Sequence, residues 1–229
     1  RVRGLVHDLN INSQGFRGAE PRRDADRPRV LFLGDSFTFG DSVNDDETLP
    51  EQVESALAGA IEALNGGVSG STIVDQRVFG ERMLALEPDL VVLVYSENDV
   101  SDLGAPVPLH VRLAENRAMR SGWLATQVFH AIGDLAVFQR LLFARAAMAT
   151  RSAPATRGES PAGEPAPSRE ALTRYTEEVV AFRDFLTERG KHLIVALYPW
   201  VESLKGAGPK PSLSDVSAAL KARGVEVVD

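Results

Sequence analysis

Three features of this 229-residue sequence predict an α/β fold, a three-layer α/β/α sandwich around a flavodoxin-like parallel sheet of about five strands. Continuous apolar runs stop abruptly at polar turns, helical patterns lie between those runs, and two of the later helical patterns are closed by a glycine just before the next run. Strand and helix in alternation require right-handed crossovers, which place helices on both faces of a parallel sheet.

Residues 1–28 read as an extended lead-in, polar and broken by glycine and proline, with Phe16 as the side chain that packs on the domain. The remainder, 29–229, reads as a single domain. Strand one covers Val30 to Leu33. A helix begins near Thr48, where Pro50 falls in the first turn and Glu51 faces the helix dipole. The spacing of Val53, Leu57, Ile61 and Leu64 carries it to about Leu64, with a short second strand overlapping its end and leading into Gly66-Gly67. Another helix runs from about Asp75 to Leu86. Leu90 to Tyr95, apolar and β-branched, has the composition of a central parallel strand. Residues 104–149 read as a helical insertion built on Trp123 to Met148, and 150–168, with four prolines and two glycines, as a flexible segment. A strong helix then starts at Ser168 and ends at Arg189-Gly190. His192 to Tyr198 is a strand, Leu213 to Arg223 a helix stopped by Gly224, and Val225 to Val228 opens a fifth strand.

Composition narrows the function classes. A net charge of -7 argues against general affinity for nucleic acid or an anionic membrane surface. The absence of cysteine excludes disulfides, thiolate catalysis and cysteine-based zinc sites. The chain begins at Arg1, carries no signal-peptide pattern and has no apolar run of about 18 residues, so any targeting segment or membrane anchor is expected outside it.

Chemistry concentrates in three turns: Gly34-Asp35-Ser36 after strand one, Asn65-Gly66-Gly67-Val68-Ser69-Gly70, and Ser96-Glu97-Asn98-Asp99 after the Leu90 strand. Open α/β sheets keep their chemistry at the carboxyl ends of their strands, where all three turns fall. Each also has a structural alternative: a plain polar turn, a glycine-rich connection, and an asparagine that caps the next turn.

In this order the turns resemble the SGNH or GDSL hydrolase family, whose serine lies in a Gly-Asp-Ser block followed by a glycine block and a Gly-x-Asn-Asp block. Ser36, Gly67 and Asn98 match by position, and Ser96 stands where the family has glycine. The resemblance implies Ser36 as nucleophile. It implies as oxyanion donors the backbone N–H groups of Ser36 and Gly67 and the side-chain amide of Asn98. Asp35 would hold the turn and not serve as the triad acid. The family's Asp-x-x-His block is absent, and is expected beyond Asp229 in a chain truncated near the end of its fifth strand. A lead-in like Asn12-Ser13-Gln14-Gly15-Phe16-Arg17 occurs in the branch that follows a membrane anchor, which implies an extracytoplasmic, cell-envelope setting.

A serine hydroxyl needs a base to become nucleophilic. Of the four histidines, His7 lies in the lead-in, His130 on an apolar helix and His192 at the wrong end of its strand; His110, in a proline-bearing loop after the Asn98 block, is the remaining candidate. Asp41, Asp45, Asp46 and Glu47 run into a helix N-terminus, where acids are favoured without a metal, so no metal is assigned. Trp123, Phe129, Phe138 and Phe143 are core aromatics or the lining of an acyl or glycan pocket. The expected function is cofactor-free cleavage of a small acyl ester, such as acetyl on a cell-envelope glycan. The alternatives are a polysaccharide O-acetyltransferase and an inactive domain that binds glycan or protein. Oligomeric state is left open.

Overall fold

The computed structural model describes residues 9–22, 27–103, 108–111, 169–204 and 212–228. The chain divides into two units, Arg1–His110 with Ala166–Asp229, and Val111–Pro165, and the elements named below all belong to the first. The expected insertion and flexible segment lie outside the described residues apart from 108–111, as do His7, His130 and the four aromatics between 123 and 143.

Five parallel strands form one sheet in the order β2-β1-β3-β4-β5: β1 Arg29–Gly34, β2 Glu62–Gly67, β3 Leu90–Ser96, β4 His192–Tyr198 and β5 Glu226–Val228. The helices that pack on this sheet or cap its strands include α1 Ser36–Phe39, α2 Leu49–Ala56, α3 Ile73–Met83, α4 Asp99–Asp102, α5 Arg169–Thr187, α6 Val201–Leu204 and α7 Leu213–Lys221. None of them is long and apolar enough to cross a membrane.

Alternation along the strands builds two cores. Leu31, Leu33, Val91, Leu93, Tyr95, Leu193 and Val195 face one side and pack with Ile73, Tyr175, Phe182, Val216 and Leu220 from α3, α5 and α7. Val30, Phe32 and Val94 face the other side, against Leu49 and Val53 of α2 and Ile61. Burial on both faces is why β1 and β3 read as unbroken apolar runs.

The helix expected to reach Leu64 ends at Ala56. Ala58 and Gly59 take positive φ, 52° and 71°, and turn the chain back into β2. The helical spacing of Val53, Leu57, Ile61 and Leu64 was coincidental beyond the turn: Ile61 joins one core and Leu64 the other, as in a strand. Glu62, inside β2, is paired at 2.7 Å with Arg29, its neighbour in register on β1.

Within the lead-in, described at 9–22 and 27–28, residues 11–17 close a tight turn where an extended run was expected. Asn12 and Phe16 exchange hydrogen bonds, Ile11 and Arg17 form an antiparallel bridge, and Arg17 also bridges Asn65 of β2. Phe16 packs against the larger core, as its apolar character predicts.

Candidate active site

The strand order reverses between β1 and β3, since β1 continues to β2 on one side and β3 leads on to β4 and β5 on the other. Such a switch point opens a crevice at the carboxyl ends of the strands. Ser36 follows β1 there, Asn98 follows β3, and Gly67 closes β2 beside them.

Asp35 shapes the first turn. Its Oδ1 accepts the Phe37 N–H at 2.9 Å and its Oδ2 accepts the Asn98 amide at 3.2 Å, so it joins the first and third turns. Burial pushes its carboxyl above the usual range, only partly offset by those two donors. Ser36 itself is half-buried, and among the described residues neither its N–H nor its Oγ has a hydrogen-bond partner. It lines a cavity of about 610 Å³ together with Phe37, Asp41, Glu47, Gln52 and Tyr198.

Gly34 and Gly67 are partners in the β1–β2 register, and α1 lies across both. A Cβ on Gly67 would sit 2.3 Å from the Phe39 nitrogen, so the glycine is demanded by the close approach of α1 and not by room for an acyl group. The Gly67 N–H donates to Asn65 Oδ1 at 3.0 Å. Asn98 is equally engaged: its amide donates to Asp35 and, at 2.6 Å, to Asp102 Oδ2, while its Oδ1 accepts from Ser96 Oγ at 2.6 Å. Serine in place of the expected glycine at 96 therefore adds a hook that fixes the asparagine.

Beneath this network Asp99 is 1% exposed; its Oδ2 accepts the Ser96 N–H at 2.9 Å and its Oδ1 has no partner among the described residues. Burial, reinforced by the charge of Asp35, pushes its carboxyl well above the usual range. A carboxyl whose pKa is raised by folding stabilises the fold fully below the unfolded value of 3.8, and that contribution is lost as pH rises through the folded value. Asp99→Asn keeps the acceptor for Ser96 and replaces the unpartnered oxygen by an uncharged amide. The variant is expected to unfold at higher urea than the parent at pH 8, by about 1–2 kcal/mol, with the gap closing toward pH 4. A variant less stable than the parent at pH 8 would mean that the fold favours the Asp99 carboxylate over its neutral form.

His110 forms a second arrangement. Its Nδ1 lies 2.7 Å from Asp75 Oδ1, and its backbone N–H donates to the same oxygen at 2.8 Å. Asp75 is buried at the start of α3; burial raises its carboxyl, but the donors of His110 and Thr72 outweigh it and the net shift is downward. His110 is not among the described residues lining the cavity at Ser36. His192 is exposed and pairs with Glu226 at 2.8 Å at the amino end of β4. No described histidine is thus hydrogen-bonded to Ser36.

Arg17 had no assigned role in the sequence and has a large one here. It is 3% exposed; its Nε donates to Asp45 Oδ1 at 2.8 Å, Nη1 to the carbonyls of Phe39 (3.1 Å) and Gly40, and Nη2 to the Val43 carbonyl at 2.6 Å. Its guanidinium also lies 5.3 Å from the Phe39 ring centroid. The acidic run is absorbed the same way: Asp45 by Arg17, Glu47 by the Asn44 N–H at 2.9 Å and Asp41 by Ser69 Oγ at 2.5 Å. Glu97, a residue the sequence left unassigned, accepts the Trp200 N–H at 2.9 Å and Ser203 Oγ at 2.6 Å, and so ties the third turn to the segment after β4.

No protein-family profile and no curated protein sequence matches the chain. Among solved structures it is similar to the SGNH-hydrolase family esterase AlinE4, at 14% identity and TM-score 0.49 over 90% of this chain and 77% of that one. An acetylxylan esterase from Geobacillus stearothermophilus, solved as a catalytic mutant, aligns at 16% identity and TM-score 0.44 over 88% of this chain and 75% of the other. A psychrotrophic esterase from Pseudoalteromonas sp. aligns at 12% identity and TM-score 0.44 over 87% and 75%.

Proposed function

We propose that this chain is a serine hydrolase that removes a small acyl group, acetyl in size, from an oxygen ester on a cell-envelope glycan, working outside the cytoplasm. The observation that carries the proposal is the placement of Ser36: a serine at the topological switch point, lining a cavity, with neither hydroxyl nor N–H committed among the described residues. In the proposed reaction Ser36 Oγ bonds to the ester carbonyl carbon as its proton passes to a histidine base, supplied by the Asp-x-x-His block that the resemblance implies. The alcohol leaves with that proton, and water then cleaves acyl-Ser36 to the free acid.

The Ser36 N–H is open to the oxyanion. The other two donors must first change partners, Asn98 by releasing Asp102 and Gly67 by parting from Asn65. That commitment favours the second reading, a domain that binds glycan or protein without turning it over.

Mass spectrometry of the whole gene product after exposure to a fluorophosphonate separates the two. A single adduct, lost in Ser36→Ala, is the expected result. A folded protein that takes no adduct would overturn the hydrolase proposal in favour of the binding domain. With an active enzyme, partition of the acyl group between water and an added sugar acceptor distinguishes hydrolysis from transfer.

A further inference from the structure

Resting on the hydrolase proposal, we infer that the cavity beside Ser36 holds the alcohol part of the substrate as an uncharged sugar ring, stacked on Phe37 and Tyr198. These two side chains are 43% and 41% exposed, unusual for large aromatics; Phe37 follows the nucleophile in sequence, and both line the cavity with it. Their ring centroids are 5.4 Å apart at 41°, and Trp200 braces Phe37 from 6.3 Å. The platform is therefore built before any substrate arrives.

The rest of the lining decides what the platform takes. Asp41, Ser42, Glu47 and Gln52 line the same cavity, and no described lysine or arginine does. Arg17, which supports the 39–45 loop, is paired with Asp45. Asp41 and Glu47 each use one carboxylate oxygen internally, on Ser69 and on the Asn44 N–H. The second oxygen of each takes no bond among the described residues.

An anionic alcohol such as a uronic acid would meet two like charges in this space. A long alkyl chain would desolvate both carboxylates without hydrogen-bonding to them. A neutral sugar satisfies both requirements: its C–H face covers the rings and its hydroxyls donate to the carboxylates and Gln52. The volume of about 610 Å³ holds a sugar ring with its acyl group.

The test uses the whole gene product and three acetate esters that differ only in the alcohol: methyl glucoside, methyl glucuronoside and octanol. The methyl glucoside ester is expected to exceed each of the others about tenfold in kcat/KM. Asp41→Asn with Glu47→Gln should shrink its advantage over the glucuronoside to within about threefold, and Tyr198→Ala should shrink its advantage over octyl acetate. Circular dichroism checks that each variant is folded. Equal or faster cleavage of the glucuronoside or octyl ester, in a protein that labels at Ser36, overturns the inference and leaves the hydrolase proposal standing. If Ser36 takes no label, the hydrolase proposal fails and calorimetry with neutral and uronic oligosaccharides decides the inference. Binding of the neutral one about tenfold tighter supports it, and no binding or preference for the anion overturns it.

Discussion

Arg17→Ala is expected to destabilise the fold by about 3–5 kcal/mol, seen as a drop in the urea midpoint with little change in slope. The loss has two parts. Asp45 keeps its charge without its partner, and the carbonyls of Phe39, Gly40 and Val43 lose their donor in a place with little water. Asp45→Asn isolates the first part: the guanidinium retains its three carbonyls, and the cost should fall to about 1–2 kcal/mol. Arg17→Lys should lie between the two, since one ammonium lacks the planar fork that reaches carbonyls on both sides of Gly40. Because the clamped residues 39–45 include part of the cavity wall at Ser36, fluorophosphonate labelling of Arg17→Ala should slow under conditions where the variant remains folded. An alanine variant as stable as the parent would show that the lead-in merely rests on the domain.

The α/β class and the positions of β1, β3, β4 and α5 were legible because each rests on a local pattern: an apolar run, buried on two faces in β1 and β3, or a long helical repeat closed by Gly190 in the left-handed region. The end of α2 was not legible. Val53, Leu57, Ile61 and Leu64 satisfy helical spacing, and only the positive φ at Ala58 and Gly59 separates helix from strand. The order of Gly-Asp-Ser, glycine and Asn-Asp turns marked one edge of the sheet, and the fold gathers Ser36, Gly67 and Asn98 around α1 there. The partners those groups now hold, Asn65 for Gly67 and Asp102 for Asn98, were invisible because they depend on side-chain rotamers. Arg17 escaped notice for a related reason: three of its partners are main-chain carbonyls more than twenty residues away, which no side-chain pattern encodes. Phe37 and Tyr198 meet only after the chain has passed through three strands, so their pairing is a product of topology.

Gly67→Ala is expected to cost about 3 kcal/mol and to slow labelling of Ser36, because α1 rests on a floor of two glycines. At Gly34 an added methyl would meet the Thr38 side chain, with Oγ1 at 2.1 Å and Cβ at 3.0 Å. At Gly67 it would meet main chain, with the Phe39 nitrogen at 2.3 Å and the Thr38 carbonyl carbon at 2.7 Å. The two sites therefore differ in what can relieve them. Thr38→Ala removes the nearer atom at Gly34, so Gly34→Ala with Thr38→Ala should recover part of the single-mutant loss in a double-mutant cycle. Thr38→Ala should recover nothing from Gly67→Ala, since a side-chain truncation does not move the backbone of α1. Relief of the second clash requires α1 to lift from β2, and Ser36, the first residue of that helix, lifts with it. Stability loss and slower labelling should accordingly appear together in Gly67→Ala. A variant within about 0.5 kcal/mol of the parent, labelled at the parent's rate, would mean that α1 is free to shift and that the position of Ser36 is set elsewhere.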